Sequence, residues 1–210
     1  SDTYDPNDLG FNYNNNRRVF EASMAYRDFE PQWKKLMKWS VNASFSQTYL
    51  YNPSVFTSNM ASLNFFTVTK KFNAFGGNGG ATLQPTQDYF EPRTDGAVFT
   101  IPQFYFFNTW FSTNYQRKVA IDAGGSMNQY IGNPWKQYAY NFSPRLRLSD
   151  AIFLIYSFEK ELQYNNLGYA IPFATPAMSY QGILFGQRNR NTTIQAIALD
   201  YIMTNRMSLS

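Results

Sequence analysis

Apolar and polar residues alternate with period two along nearly the whole chain, the pattern of β-strands with two unlike faces. The clearest run is KKLMKWSVNASFSQTYLY. Met37, Trp39, Val41, Ala43, Phe45 and Tyr49 fall on one face, and Lys38, Ser40, Asn42, Ser44, Ser46 and Thr48 on the other. This is much longer than the usual soluble strand of about five or six residues. VFEASMAYRDF, QFYFFNTWFSTNY, AIFLIYSFEKELQY and TIQAIALDYIM repeat the pattern, and AFGGNGGATLQP is a glycine-rich variant. No stretch has a convincing helical period. The pattern predicts an all-β fold of about nine to ten antiparallel strands.

The predicted connections alternate in length. Short ones fall at Glu30-Pro31, Lys70-Lys71, Gln116-Arg117, Ser149-Asp150 and Thr204-Asn205, and longer ones at 51–55, 90–101, 131–136 and 164–190. Membrane barrels have short periplasmic turns and long extracellular loops. The expected architecture is therefore an up-and-down transmembrane β-barrel, with residues 1–15 an extracellular loop and 16–210 the barrel segment. At the C-terminal end, Thr204-Asn205-Arg206 reads as a tight turn, and Met207 and Leu209 open a further strand. A bare strand edge is not viable in lipid, so the chain is expected to be a fragment of a larger barrel, with more strands at both ends.

Composition sharpens this picture. There are 20 Phe and 16 Tyr, and only 15% of residues are charged, against roughly 25% in soluble domains. Tyr26, Phe29, Tyr49, Tyr51, Tyr115, Tyr138 and Tyr140 fall near strand ends, where membrane barrels carry aromatic girdles. The polar faces hold Ser, Asn and Thr more than Lys and Glu, which suits a lumen better than an open soluble sheet. A soluble β-sandwich is the competing fold. The net charge of +4 is scattered, whereas a nucleic-acid footprint needs clustered Lys and Arg, so no nucleic-acid partner is expected. The absence of Cys and His removes disulfides, thiolate or imidazole metal sites, and Ser-His or Cys-His catalysis. No catalytic residue, cofactor or metal is expected.

Several residues stand out nonetheless. Glu159 and Glu161 share one strand face, roughly 7 Å apart. They could hold a cation or act as an acid–base pair, but they fit better in a lumenal charge network with Glu21, Arg27, Arg145 and Arg147, because unpaired charge is costly in a partly dry interior. Tyr89, Phe90 and Arg93 lie in the loop FEPRTDG or beside it, and Arg188 and Arg190 in FGQRNRN, as candidate extracellular contacts. An arginine fork suits a lipopolysaccharide phosphate. YDPNDLG superficially resembles a calcium loop, but Leu9 occupies a ligand position, and an Asx-rich turn explains it better.

Three stretches carry a family resemblance: NDLGF at Asn7–Phe11, DYFEPRTDG at Asp88–Gly96, and LFGQRNRNTTIQAIALDYIMTNRMSLS at Leu184–Ser210. Together they resemble the interior of the C-terminal barrel region of an uncharacterised Bacteroidota outer-membrane family. Members of that family often carry an N-terminal family 9 carbohydrate-binding module, which is not expected within these residues, so the resemblance transfers no sugar binding to them. The resemblance implies a location in the outer membrane of a Gram-negative bacterium. It also implies contact with membrane lipid and lipopolysaccharide, and with other outer-membrane or lipoprotein subunits. The expected function is a non-catalytic barrel acting as a transport pore or as a structural partner in an envelope complex. The alternative is an outer-membrane hydrolase or carbohydrate-binding protein whose working residues lie mainly outside this chain.

Overall fold

The computed structural model of the protein describes residues 16–94, 96–174, 181–204 and 207–209. The proposed loop at 1–15 lies outside them. All regular structure in these residues is β. The strands are β1 (Arg18–Asp28), β2 (Leu36–Tyr49), β3 (Phe56–Thr69), β4 (Ala74–Ala81), β5 (Thr86–Asp88), β6 (Phe99–Ile101), β7 (Phe104–Ser112), β8 (Val119–Tyr130), β9 (Lys136–Arg147), β10 (Ile152–Ala174), β11 (Gln181–Thr204) and β12 (Met207–Leu209). Ten of them form one antiparallel sheet in the order β1-β2-β3-β4-β7-β8-β9-β10-β11-β12, and β5 and β6 form a small separate hairpin. Each strand of the large sheet lies beside its neighbour in sequence, apart from that inserted hairpin. The up-and-down order thus follows the sequence reading. Among the described residues the sheet does not close on itself: β1 pairs with β2 alone and β12 with β11 alone.

The register keeps the two faces apart across the sheet. Glu21 pairs with Ser46, Ser44 with Ser62, Asn64 with Asn78, Asn78 with Asn108, and Asn108 with Ser126. Gly124 then pairs with Asn141, Asn141 with Glu159, and Glu161 with Thr192. The opposite face carries Met24, Leu63, Phe107, Phe111, Phe142, Ile197 and Leu199, all exposed. Leu50 and Ala120 are the only buried hydrophobic residues among those described. Among the described residues this is a single layer of sheet with no second layer over its apolar face.

The glycine-rich β4 is explained by its neighbour. On the polar face Gly76 pairs with Trp110, Asn78 with Asn108, and Gly80 with Phe106. A methyl group on Gly80 would lie 2.5 Å from the Ala61 carbonyl oxygen and 2.7 Å from the Phe106 ring. One on Gly76 would lie 2.8 Å from the Phe65 carbonyl oxygen and 3.0 Å from the Trp110 indole. The two large aromatic side chains of β7 lie across positions that carry no side chain, a known way of covering glycine in a strand.

Two expectations about the connections are corrected. Connection 29–35 is longer than 50–55, so the lengths do not alternate strictly. Its extra residues fold Trp33 back onto Trp39, with ring centroids 5.6 Å apart. Of the stretch 164–190, the described residues 164–174 and 181–190 are strand, not loop. β10 and β11 stay paired up to Ala174 and Gln181, beyond the top of β9 at Lys136. Its Asn, Gln and Arg content looks like a loop, but it is a hairpin arm whose polar side chains bond across strands. Asn189 Oδ1 accepts from the Asn165 backbone N–H at 2.8 Å. Asn165 takes a positive φ of 55° next to a bulge, a conformation that Asn tolerates better than most residues.

Candidate functional site

The polar face is concave. A cavity of about 590 Å³ spans β7 to β11, lined by Asn108, Trp110, Asn141, Glu159, Glu161 and Arg190 among others. Trp110 lies across Gly76, with its ring 5.9 Å from that of Phe66. A methyl group on Gly124 would meet the Asn141 amide oxygen at 2.5 Å, so the glycine leaves room for that amide against the sheet. Asn108 Nδ2 donates to Asn78 Oδ1 at 3.1 Å. One flank of the groove is therefore aromatic and amide, and the opposite flank is charged.

On the charged flank, Glu161 is held from two sides. Arg190 donates to its Oε1 at 2.6 Å and Gln137 to its Oε2 at 2.9 Å. Glu159, two residues away on the same face, is exposed to the cavity and has no hydrogen-bond or ion-pair partner among the described residues. Lys160 also lines the groove but donates to Thr193 Oγ1 at 2.7 Å, so no cation is paired with Glu159 among the described residues.

The structure distributes the other residues singled out in the sequence as follows. Glu21 and Arg27 share the polar face but sit on β1, remote from Glu161 in strand order. Arg27 lines a small recess with Lys38, Trp39 and Phe66. Arg145 lies 4.7 Å over the Tyr115 ring and Arg147 5.2 Å over the Phe153 ring. Both guanidinium groups thus face rings, and the ion pair at Glu161 is the only one among the described residues. Arg188 and Arg190 belong to β11 within the paired arm, not to a loop. Arg190 was assigned from sequence to the extracellular group, and the structure brings it to the carboxylates instead. Trp110 went unremarked in the sequence, although it has the same strand parity as the polar Asn108 and Ser112.

The segment 82–103 joins β4 to β7 and carries the β5–β6 hairpin. It reaches both sides of the sheet. Thr86, Asp88 and Phe90 lie beside Arg17, Leu50 and Thr57 at the end of β2 and β3. On the other side, Glu91 Oε1 accepts from the Tyr169 backbone N–H at 3.0 Å, the Arg93 guanidinium lies 4.9 Å over the Tyr169 ring, and Phe99 stacks on Phe185 at 4.3 Å. Pro92 is fully buried, and Tyr89 is half-buried. Contact with strands that far apart in the sheet requires the sheet to curl.

At the opposite rim, Ser112, Tyr115 and Asp122 form a hydrogen-bonded cluster. Tyr115 donates to Asp122 Oδ1 at 2.6 Å, and the single Ser112 hydroxyl proton is shared between the Tyr115 oxygen, at 3.0 Å, and Asp122 Oδ1. Burial, reinforced by the bond to Asp122, holds the Tyr115 phenol above its ordinary pKa. The folded state then keeps a proton that the unfolded chain loses above a pH of about 10. Stability from this group is complete below that pH and falls as pH rises through the folded-state value. The difference between denaturant midpoints of wild type and Tyr115→Phe, measured from pH 8 to 11.5, is expected to stay constant below pH about 10 and to change above it, with the wild type losing more. Parallel curves would refute this.

One comparison with known proteins decides the family. The model of a domain of unknown function, DUF5916, matches residues 1–210. The chain belongs to the DUF5916 family. No curated protein and no solved structure matches it. The family match spans every strand described above, so the sheet, its insert and its arm all belong to the DUF5916 domain.

Proposed function

We propose that this DUF5916 chain forms part of the wall of an outer-membrane β-barrel in a Gram-negative envelope, non-catalytic in itself, whose concave face lines a polar transport path. The observation that carries this reading is the exposed apolar face of a single-layered sheet. Each buried Leu, Ile or Phe contributes about 1.5–3 kcal/mol, and this sheet leaves a continuous set of them uncovered. A soluble domain buries that face against a second layer, whereas hydrocarbon can cover it directly.

Two aromatic groups fit the same reading. Trp39 meets Tyr26 and Trp33 at centroid distances of 5.2 and 5.6 Å, and Tyr49 meets Phe20 and Phe56 at 6.2 and 6.1 Å. Trp39 and Tyr49 sit on one face of β2. At about 3.4 Å per residue and a tilt of about 45°, their separation spans roughly 25 Å of membrane normal, the height of the apolar band of such barrels. Contact with lipid follows along this face, and the arm bearing Arg188 would stand at the lipopolysaccharide level. Other envelope subunits are the remaining partners in this reading.

Carbonate extraction of envelope fractions tests the proposal. The full-length protein is expected to stay in the membrane pellet and to require detergent for release. Recovery in the carbonate supernatant would refute it.

A further inference from the structure

We infer that the groove between Trp110 and Glu159 binds a neutral, hydroxyl-rich solute of the sugar class. The inference rests on the proposed lumen and names what that lumen recognises. The cavity of about 590 Å³ falls within the range of roughly 300–1,000 Å³ for small-molecule sites. Its two flanks differ in chemistry. Trp110 is spread over Gly76 beside Phe66, giving a flat indole surface on one side. The amides of Asn108 and Asn141 add donors and acceptors beside it, and Glu159 with the Glu161–Arg190 pair forms the charged side opposite.

Each alternative ligand leaves one flank unused. A purely apolar solute would cover Glu159 and leave its charge desolvated and unpaired, which is costly. A small inorganic cation would satisfy Glu159 and could take an amide oxygen, but it finds no cluster of three acidic ligands among the described residues and leaves the Trp110 face unused. An anion is opposed by Glu159, and Arg190 is already engaged with Glu161. A pyranose ring has C–H bonds on its faces and hydroxyls around its edge. Its face matches the indole, and its hydroxyl donors match the carboxylate that has no protein partner. Its hydroxyl oxygens accept from Asn108 or Asn141. Both flanks are then satisfied by one molecule, with no charge to be neutralised.

The position of the glycines strengthens the assignment. Gly76 and Gly124 sit under the two side chains that define the aromatic and amide surfaces. Without them Trp110 and Asn141 would be pushed up into the groove and narrow it. The floor is therefore shaped for something that lies flat on it.

The test is isothermal titration calorimetry of the full-length, detergent-solubilised protein with maltotriose, cellotriose and laminaritriose. Saturable binding of at least one trisaccharide is expected. Trp110→Ala should weaken it tenfold or more, Trp110→Phe should weaken it less, and Glu159→Gln should weaken it severalfold. Trp33→Ala, in a connection outside the groove, should leave it unchanged. Each variant is first shown to keep the wild-type far-ultraviolet spectrum and denaturant midpoint, and Glu159→Gln removes no protein contact, so folding is not at stake for it. No saturable binding of any of the three, or equal binding by wild type, Trp110→Ala and Glu159→Gln, would overturn the inference. Binding is read in detergent and membrane residence by carbonate extraction, so either result can fail without the other.

Discussion

Replacing Ile197 by arginine is expected to destabilise the protein by about 2–4 kcal/mol in a lipid bilayer. Ile197 is 75% exposed and lies on the apolar face of β11, opposite Tyr156 in the register. In a soluble protein a side chain that exposed could be exchanged for arginine at a cost within about 0.5 kcal/mol. The two environments therefore predict different numbers for the same substitution. The measurement is guanidinium unfolding of the full-length protein folded into phosphatidylcholine vesicles. Asn191→Arg, on the same face but in the polar part of the strand, is the control and is expected to be near neutral. If Ile197→Arg is as neutral as Asn191→Arg, the apolar face does not meet hydrocarbon.

Gly80→Ala is expected to cost about 2 kcal/mol or more, in the range seen for overpacked cores. Its methyl group would lie 2.5 Å from the backbone carbonyl oxygen of Ala61 and 2.7 Å from the Phe106 ring. The carbonyl belongs to the β3–β4 ladder and cannot move without breaking pairing. Gly125→Ala is the matched control. Its methyl group meets only the Ala139 carbonyl oxygen, at 3.7 Å, which is ordinary contact. There the reduced backbone freedom of alanine should make the change neutral or stabilising by a few tenths of a kcal/mol. Equal midpoints for the two variants would show that the aromatic cover over β4 is loose.

The strands were legible in the sequence because alternation is a local property. Met37, Trp39 and Val41 announce a face whatever lies beside them, and the polar residues from Ser40 to Thr48 announce the other. The order of the sheet was legible for the same reason, since an up-and-down chain pairs neighbours. What lay beyond reach depended on partners. The fit of Trp110 over Gly76 and of Phe106 over Gly80 exists only once β4 and β7 are in register. The bond between Glu161 and Arg190 joins residues 29 apart, and nothing local links them. The arm was misread because Asn, Gln and Arg occur both in loops and in strands whose two faces are wet. The 82–103 segment appeared shorter in the sequence, because Thr86–Asp88 and Phe99–Ile101 are too brief for alternation to register.

The arm has a consequence for how the molecule comes apart. Two strands standing beyond their sheet have only each other, and an isolated hairpin is marginal in water. Here the 82–103 segment props that hairpin at Tyr169 and Phe185, and the hairpin in turn anchors the segment. Beyond this contact the hairpin has only the Asn165 amide bond to the Pro134 carbonyl oxygen among the described hydrogen bonds, while the segment is also held at β3, where Asn59 Oδ1 accepts from the Leu83 and Gln84 backbone N–H groups. The two should therefore open and close together, as one cooperative unit less stable than the sheet below it. Amide exchange would see them as a single early-melting block, while β2, β3, β8 and β9 stay protected.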